Sequence, residues 1–406
     1  MEFLPRSMGT RPRLACEVRA EGVVAARAED AFAVLSAVSR VPLADEVVVP
    51  RLRAVDAEGA PADAASNSAA NGASGGVGGD AAGRAAVVAA VRKALEAVCL
   101  RTREVTLVVP DAAVRVLLLE FDELPAKPAE ALPVVRFRLK KLLPFDADDA
   151  AVSYQVMATA KDTVHVLAVA MPRELLADYE SVVREAGFEP GAILPSTLAA
   201  LAGLGERDAP VLVVNAGREG VTTAIVKAGV LLLHRTVDLG ADLRADMQAD
   251  AAAAHLASNA MQTPLVDREH SAGEWARQEP HSFSSQNDAA VEIETALLEQ
   301  EIVQEIAQEI AAESSLTETA DEVAQAVSVA AAYFEDTLQT APSMIHTAGT
   351  LGAAALTALL NDANVGPLAV QEIVHSEMLG AAAASAGSPG GIPFGWLSGV
   401  RGALAN

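Results

Sequence analysis

Within VVRFRLKKLLPFDADDAAVSYQV, residues 134–156, Arg136, Arg138, Lys140 and Lys141 crowd together ahead of Pro144, Phe145 and an acidic cluster. Cations so spaced can neutralise phosphates in a nucleic-acid groove, offset the negative end of a helix, or meet an acidic partner on a docking surface. The rest of the chain argues against the first. A formal net charge of -24 and a pI near 4.6 repel phosphate backbones, and an aromatic content of 3% leaves few stacking platforms for bases. No other constellation competes. The seven histidines show no metal-ligand spacing with one another or with the two cysteines, and His234 and His346 fall in strand patterns as core-edge residues. No Gly-x-Ser-x-Gly elbow or Walker lysine loop occurs. Cys16 and Cys99 lie in apolar segments and read as inert core thiols of a reducing compartment.

The elements that would position the basic run follow from periodicity. At 406 residues the chain suggests two domains, or one of several subdomains, and 51% hydrophobic content dominated by Ala and Val predicts cores of small and branched side chains. RLACEV, GVVAARA and FAVLSAV read as three strands, with Gly22 supplying the backbone freedom of the first turn. Residues 58–84 read as a disordered Ala/Gly/Ser loop. Val87, Val91, Leu95 and Val98 then predict a helix over 85–100, followed by VTLVVP as a buried strand with VRVLLLEF as its neighbour.

The basic run lies on a helix that starts after Pro125 and Pro128, tolerates Pro133 near its start and stops at Pro144, with Leu132, Val135, Leu139 and Leu142 on one face and Arg138 and Lys141 on the other. Strands AVSYQVM and VHVLAVAM, a helix over 172–186 capped at Gly187, and strand GAILP complete the first part. From Pro210, VLVVNAGREGVTTAIVKAGVLLLHRTVDL repeats the opening three-strand layout with turns at Gly217 and Gly229, which suggests a duplicated fold.

Residues 251–319 interrupt the second part. Between Asp250 and Glu322 sixteen Asp/Glu stand against two Arg, and Ile293, Leu297, Ile302, Ile306 and Ile310 form a helical stripe on an acidic arm. Helix VAQAVSVAAAYFEDTL, strand and turn IHTAGTLG, and helix AAALTALL follow, and the residues from 379 read as a flexible tail. No stretch has the length and apolarity of a signal peptide or membrane span, so the protein is expected to be soluble or to reach a membrane only through a partner.

ELPAKPAEALPVVRFRLKKLLPFDADDAAVSYQVM resembles a segment of the type IV pilus assembly protein PilM family, in which a Leu-Pro pair precedes a helix ending in a Pro-aromatic step and a Tyr-Gln-Val strand follows. VLVVNAGREGVTTAIVKAGVLLLHRTVDLG resembles that family's second phosphate-loop hairpin, and IHTAGTLG its adenosine-side turn. The matching parts span roughly residues 12–56, 84–245 and 320–375.

The resemblance implies an α/β, actin-like (ribonuclease H-like duplicated) fold, related to FtsA and to the cytoplasmic domain of GspL, with an inserted small α+β subdomain and low-complexity insertions. Its divisions would be a first half at 12–103, the small subdomain at 104–190, a second half at 191–378 carrying the acidic insert, and the tail at 379–406. It also implies a cytoplasmic protein, held at the inner membrane by a PilN-like bitopic partner whose N-terminal peptide it binds. Contacts with other platform or motor components and homo-oligomer formation belong to the same expectation.

ATP with Mg2+ would lie between the halves, at Glu17, Gly22, Asn215, Gly217, Gly349 and Gly352. Against the family pattern, Glu17 replaces an Asp, Arg19 a turn glycine, Val24 a lysine and Asn215 a second Asp, while Ala348 precedes Gly349 where a Gly-Gly pair is usual. These changes point to a degenerate site with ATP held weakly or not at all, and to protein contact as the function, with Arg136, Arg138, Lys140, Lys141 and Phe145 as the docking patch. The alternatives are an active ATPase or phosphotransferase of the same fold, and an FtsA-like filament anchored through Phe394, Trp396, Leu397 and Leu404 at the C-terminus.

Overall fold

The computed structural model describes residues 12–29, 34–44, 47–52, 81–205, 207–239, 319–366, 368–381, 383 and 392–405. Most of the 58–84 loop, the isoleucine stripe at 293–310 and the rest of the acidic insert to 318 lie outside them. Residues 1–239 with 323–406 form one compact unit; of a second unit, 240–322, only 319–322 are described.

The apolar runs at the two ends of the duplication form two sheets of the same topology. In the first, β1 (Leu14–Arg19), β2 (Gly22–Ala28) and β3 (Leu35–Pro42) make an antiparallel meander, β4 (Glu104–Val109) pairs parallel to β1, and β8 (Glu189–Pro195) parallel to β4, giving the order β3-β2-β1-β4-β8. In the second, β9 (Val211–Ala216), β10 (Gly220–Lys227) and β11 (Val230–Asp238) are the meander, with β12 (Met344–Gly349) and β13 (Ala369–Glu372) added parallel, giving β11-β10-β9-β12-β13. Strands buried on both faces are built from nearly continuous apolar sequence, which is why LACEV and LVV carry little alternation.

Alternation still decides which side chain faces where. Cys16, Val18, Val23 and Leu107 face a core closed by Val87, Val91, Leu95 and Val98 of α1 (Ala81–Val98) and Tyr179, Val182 and Val183 of α3 (Arg173–Glu185). Ala15, Val24, Ala26 and Val108 face the other way, against Trp396, Leu397, Val400 and Leu404. In the second sheet Leu212, Val214 and Ile345 pack under α5 (319–338) and α6 (Gly352–Asp362), while Val213, Ala224 and Leu231 face α4 (Ser196–Ala202). Glu17 and Arg19 share the face of Ala15, and Asn215 shares that of Val213. The strand period alone therefore turns these polar residues inward, toward the crevice between the halves.

The inserted subdomain is smaller than expected. β5 (Arg115–Phe121), α2 (Pro128–Leu139), β6 (Ala150–Thr159) and β7 (Val164–Pro172) form it, with sheet order β5-β7-β6. From sequence β4 and the first two residues of β8 were assigned to it and the rest of β8 to the second half, but β4 and β8 pair with each other in the first half's sheet. The neighbour of β5 is β7, not β4, because a 3-10 turn at Asp111–Ala113 redirects the chain. Leu167 and Met157 of this small sheet pack against Leu231 and Val213, so the subdomain also leans on the second half's strands.

Two further corrections concern loops. Helix α1 begins at Ala81, inside the segment read as disordered. Residues 395–404 of the tail are largely buried: a 3-10 segment Phe394–Leu397 leads into α7 (Ser398–Leu404), with Trp396 only 2% exposed and the Arg40 guanidinium 4.0 Å above its ring. The glycines that weaken helix propensity there permit backbone contact. A Cβ at Gly402 would lie 1.7 Å from the Ala199 carbonyl oxygen, and one at Gly395 2.3 Å from that of Gly349. With Trp396, Leu397 and Leu404 inside, the segment is unavailable as an amphipathic membrane anchor in this state.

Candidate functional site

Polar groups at the C-terminal ends of the parallel strands converge on the crevice. Glu17 and Arg19 come from β1, Asp111 follows β4, Ser196 and Thr197 open α4 after β8, Asn215 ends β9, and Thr350 follows β12. This is the side of open α/β sheets where ligands bind.

The network is dense and almost wholly buried. Glu17, fully buried, accepts from Arg19 Nη2 at 2.5 Å and from Ser196 Oγ at 2.6 Å. Its Oε2 has no hydrogen-bond partner among the described residues and lies 2.3 Å from where a Gly399 Cβ would be. Burial pushes the Glu17 carboxyl up, against the lowering pull of Arg19 and Ser196. Arg19 also donates to Ser196 Oγ at 2.9 Å and to Asn215 Oδ1 at 3.4 Å. The Asn215 amide donates to Ser196 Oγ and Thr197 Oγ1, both at 2.9 Å, and to Asp111 Oδ2 at 3.3 Å. Asp111 further accepts from the Thr197 N–H at 3.1 Å and from its hydroxyl at 2.5 Å. Asp111 is thereby tied to the first turn of α4 and to the end of β9.

At the mouth, Glu21 Oε1 accepts from the Arg218 N–H and the Thr350 hydroxyl, each at 2.6 Å. Burial works to raise the Glu21 carboxyl, but these two donors outweigh it and hold the group below the usual carboxylate range. Across the second half, Glu372 Oε1 accepts from the Ala353 N–H at 2.7 Å, capping α6.

The remaining space among Arg19, Glu21, Asp111, Asn215 and Arg218 is about 60 Å³, against the ~300–1,000 Å³ of small-molecule pockets. A larger hollow of about 240 Å³, lined by Leu201, Leu204, Arg207, Val211, Val226 and Gly229, shares no residue with this network.

The structure brings together four of the six residues expected to hold ATP. Glu17 and Asn215 lie at its centre. A Cβ on Gly217 would stand 3.0 Å from Glu21 Oε1, and one on Gly349, which has φ +90°, 2.7 Å from Asn215 Oδ1. Gly352 sits beside Glu372 at the start of α6. Gly22 faces away, with its Cβ position 2.6 Å from the Val41 carbonyl of β3. Sequence reasoning noted Arg19 as a departure from a pattern but missed Asp111, Ser196, Thr197, Thr350 and Glu372; for Asp111 and Ser196 the available signal was a polar residue immediately after a strand-ending proline, Pro110 and Pro195. Among the described residues no group of three or more His, Cys, Asp or Glu side chains is arranged to hold a metal ion.

The basic run divides. Arg136 turns inward and donates to the Ala150 carbonyl at 3.0 Å and to that of Ala147, and the half-buried Phe145 packs on the subdomain core. The buried face of α2 is Ala131, Val135 and Leu139, with Leu142 beyond the helix end and exposed. Lys140 pairs with Asp148 at 2.6 Å. Arg138 and Lys141 are exposed beside Val134, Leu142 and Phe137, the last 70% exposed and missed from the sequence.

His346 on β12 is buried, with Arg207 Nη1 3.3 Å from its Nε2. Burial, then Arg207 and His375, lower its pKa from 6.5 to about 4. The unfolded chain therefore takes up a proton that the native one refuses between those values. Unfolding free energy should fall as pH is lowered from 6.5 to 4, and His346→Gln should flatten that slope in denaturant titrations; an unchanged slope would show that another group carries it.

No protein-family model and no curated protein matches the chain. Solved structures do. A chain of a PilM-PilN type IV pilus biogenesis complex aligns over 97% of this chain and 98% of its own, at 16% identity and a TM-score of 0.58. The cytoplasmic domain of EpsL, an inner membrane component of the type II secretion system of Vibrio cholerae, aligns over 55% of this chain and 70% of its own at 13% identity and TM-score 0.33. The ethanolamine utilization protein EutJ of Carboxydothermus hydrogenoformans aligns over 100% and 94% at 11% identity and TM-score 0.40. With its two sheets of one topology facing across a crevice, this chain has the actin-like fold, and in that fold it is similar to the PilM-PilN pilus complex.

Proposed function

We propose that the protein is a scaffold of the inner-membrane assembly platform of a type IV pilus or a related secretion system, binding the cytoplasmic N-terminal peptide of a PilN-like bitopic protein. The observation that carries this reading is the contrast between a crevice filled by side chains and an α2 surface that exposes Phe137, Val134, Leu142, Arg138 and Lys141 together. An exposed aromatic ringed by aliphatic groups and two cations suits a short segment that is apolar and acidic. The fold's likeness to a pilus complex over nearly the full length supports the choice of partner. On this reading the protein is cytoplasmic and reaches the membrane through that partner; no helix among the described residues is long and apolar enough to cross one.

ATP turnover is no part of the proposal. The small space left in the crevice and the hydrogen bonds that Asp111 accepts support that reading. Fluorescence anisotropy with the labelled N-terminal peptide of the PilN-like protein tests the docking surface. Phe137→Ser should weaken binding by tenfold or more, on the scale of ~2 kcal/mol for an interface anchor. Arg138→Glu with Lys141→Glu should weaken it at low salt and less at high salt. Binding that ignores both substitutions at every ionic strength would remove α2 as the site.

A further inference from the structure

Two charged side chains of one short turn each occupy a position suited to a ligand of the same charge. Oxygen atoms of Glu17, Ser196 and Asn215 converge from β1, the start of α4 and the end of β9, a donor set suited to a cation; the Arg19 guanidinium lies among them at 2.5, 2.9 and 3.4 Å. Beside it, the N–H of Arg218 in the β9–β10 turn, the Thr350 hydroxyl and the close backbone of Gly217 form a cradle for an oxyanion, and the Glu21 carboxylate fills it. Both side chains belong to the turn that ends β1, and both reach across to the second half.

We propose that the crevice carries its own ligands, Arg19 as a built-in cation and Glu21 as a built-in oxyanion, which hold the two halves together as a bound metal and phosphate would. The assembled protein surface then does not depend on nucleotide. The proposal rests on the reading of the crevice as non-catalytic, yet it concerns what fills the crevice, and the two can fail separately.

Thermal unfolding of the full chain, with and without millimolar inorganic phosphate, acetate or Mg-ATP, provides the test. The natural protein should shift by less than about 1 °C with any of them. Glu21→Ala empties the cradle: its Tm should drop by about 5 °C, and phosphate or acetate should restore at least half of the loss. Glu21→Gln, which keeps an acceptor oxygen in place, should lose less and ignore both anions. Should Glu21→Ala fail to fold, Thr350→Val combined with Glu21→Gln reads the same contact in a milder background, and their losses should be non-additive.

A Glu21→Ala protein as stable as the natural one, or one that no anion restores, would overturn the proposal while leaving the non-catalytic reading intact. Additive losses in the milder pair would do the same. Stabilisation of the natural protein by Mg-ATP would overturn both.

Discussion

Deleting residues 392–405 should leave a chain that no longer unfolds cooperatively. This segment supplies Trp396, Leu397, Val400 and Leu404 to the inner face of the first sheet, against Ala15, Val24, Ala26 and Val108. At about 1.5–3 kcal/mol for each large apolar side chain buried, its removal withdraws an amount comparable to the whole net stability of a domain. Trp396→Ala alone should cost about 3–5 kcal/mol by denaturant unfolding. Gly402→Val should be as severe by a different route, since a side chain there meets the Ala199 carbonyl and must push α7 off α4. Phe394→Ser, at a side chain 36% exposed, is the control and should change stability little. A truncated protein with natural cooperativity would show that the first half's inner face closes without α7.

Arg19→Ala is expected to cost about 3–5 kcal/mol, the usual penalty for leaving one partner of a buried ion pair uncompensated. Glu17 is fully buried and already has one oxygen without a partner, so the guanidinium is its main charge compensation. The discriminating comparison is Glu17→Leu with Arg19→Met. If the loss in Arg19→Ala reflects a stranded carboxylate, the apolar pair should recover most of the stability, because a buried pair can be replaced by packed side chains of similar volume at little cost. If both variants lose equally, the hydrogen bonds from Arg19 to Ser196 and Asn215 carry the stability in their own right. Combined with the expected response of Glu21→Ala, these outcomes separate the cation position from the anion position within one turn.

Much of the architecture was legible in the sequence. Apolar runs closed by proline or glycine marked β4, β8 and β9 through β11, and a spacing of four, four and three marked α1, because burial on a regular backbone imposes a period on the chain. The repeated meander could be read because both copies need the same turns. The pairing of strands distant in sequence left no comparable trace. Nothing local in RVLLLEF says that it joins VHVLAVAMP and not its neighbour EVTLVV, and nothing in GAILP says that it returns to the first sheet across the whole insert. The boundaries of the small subdomain were therefore misplaced by the strands on either side of it.

The candidate site divides along the same line. The sequence by itself placed Glu17 in the first strand of one meander, Asn215 in the first strand of the other and Gly217 at a turn, and showed that four cations crowd around the end of one helix; the family resemblance marked Arg19 and Val24 as departures from a phosphate pattern. Only the tertiary structure decided that Arg19 and Glu21 meet Asn215 and Thr350 of the second half, that Arg136 is spent on two carbonyls while Phe137 faces outward, and that a glycine-rich tail is a core element. The reason is physical. Period and propensity fix which way a side chain leaves its own strand or helix, whereas its partners come from strands and turns as many as 329 residues away, and a glycine's worth as a point of close approach exists only once another backbone has arrived there.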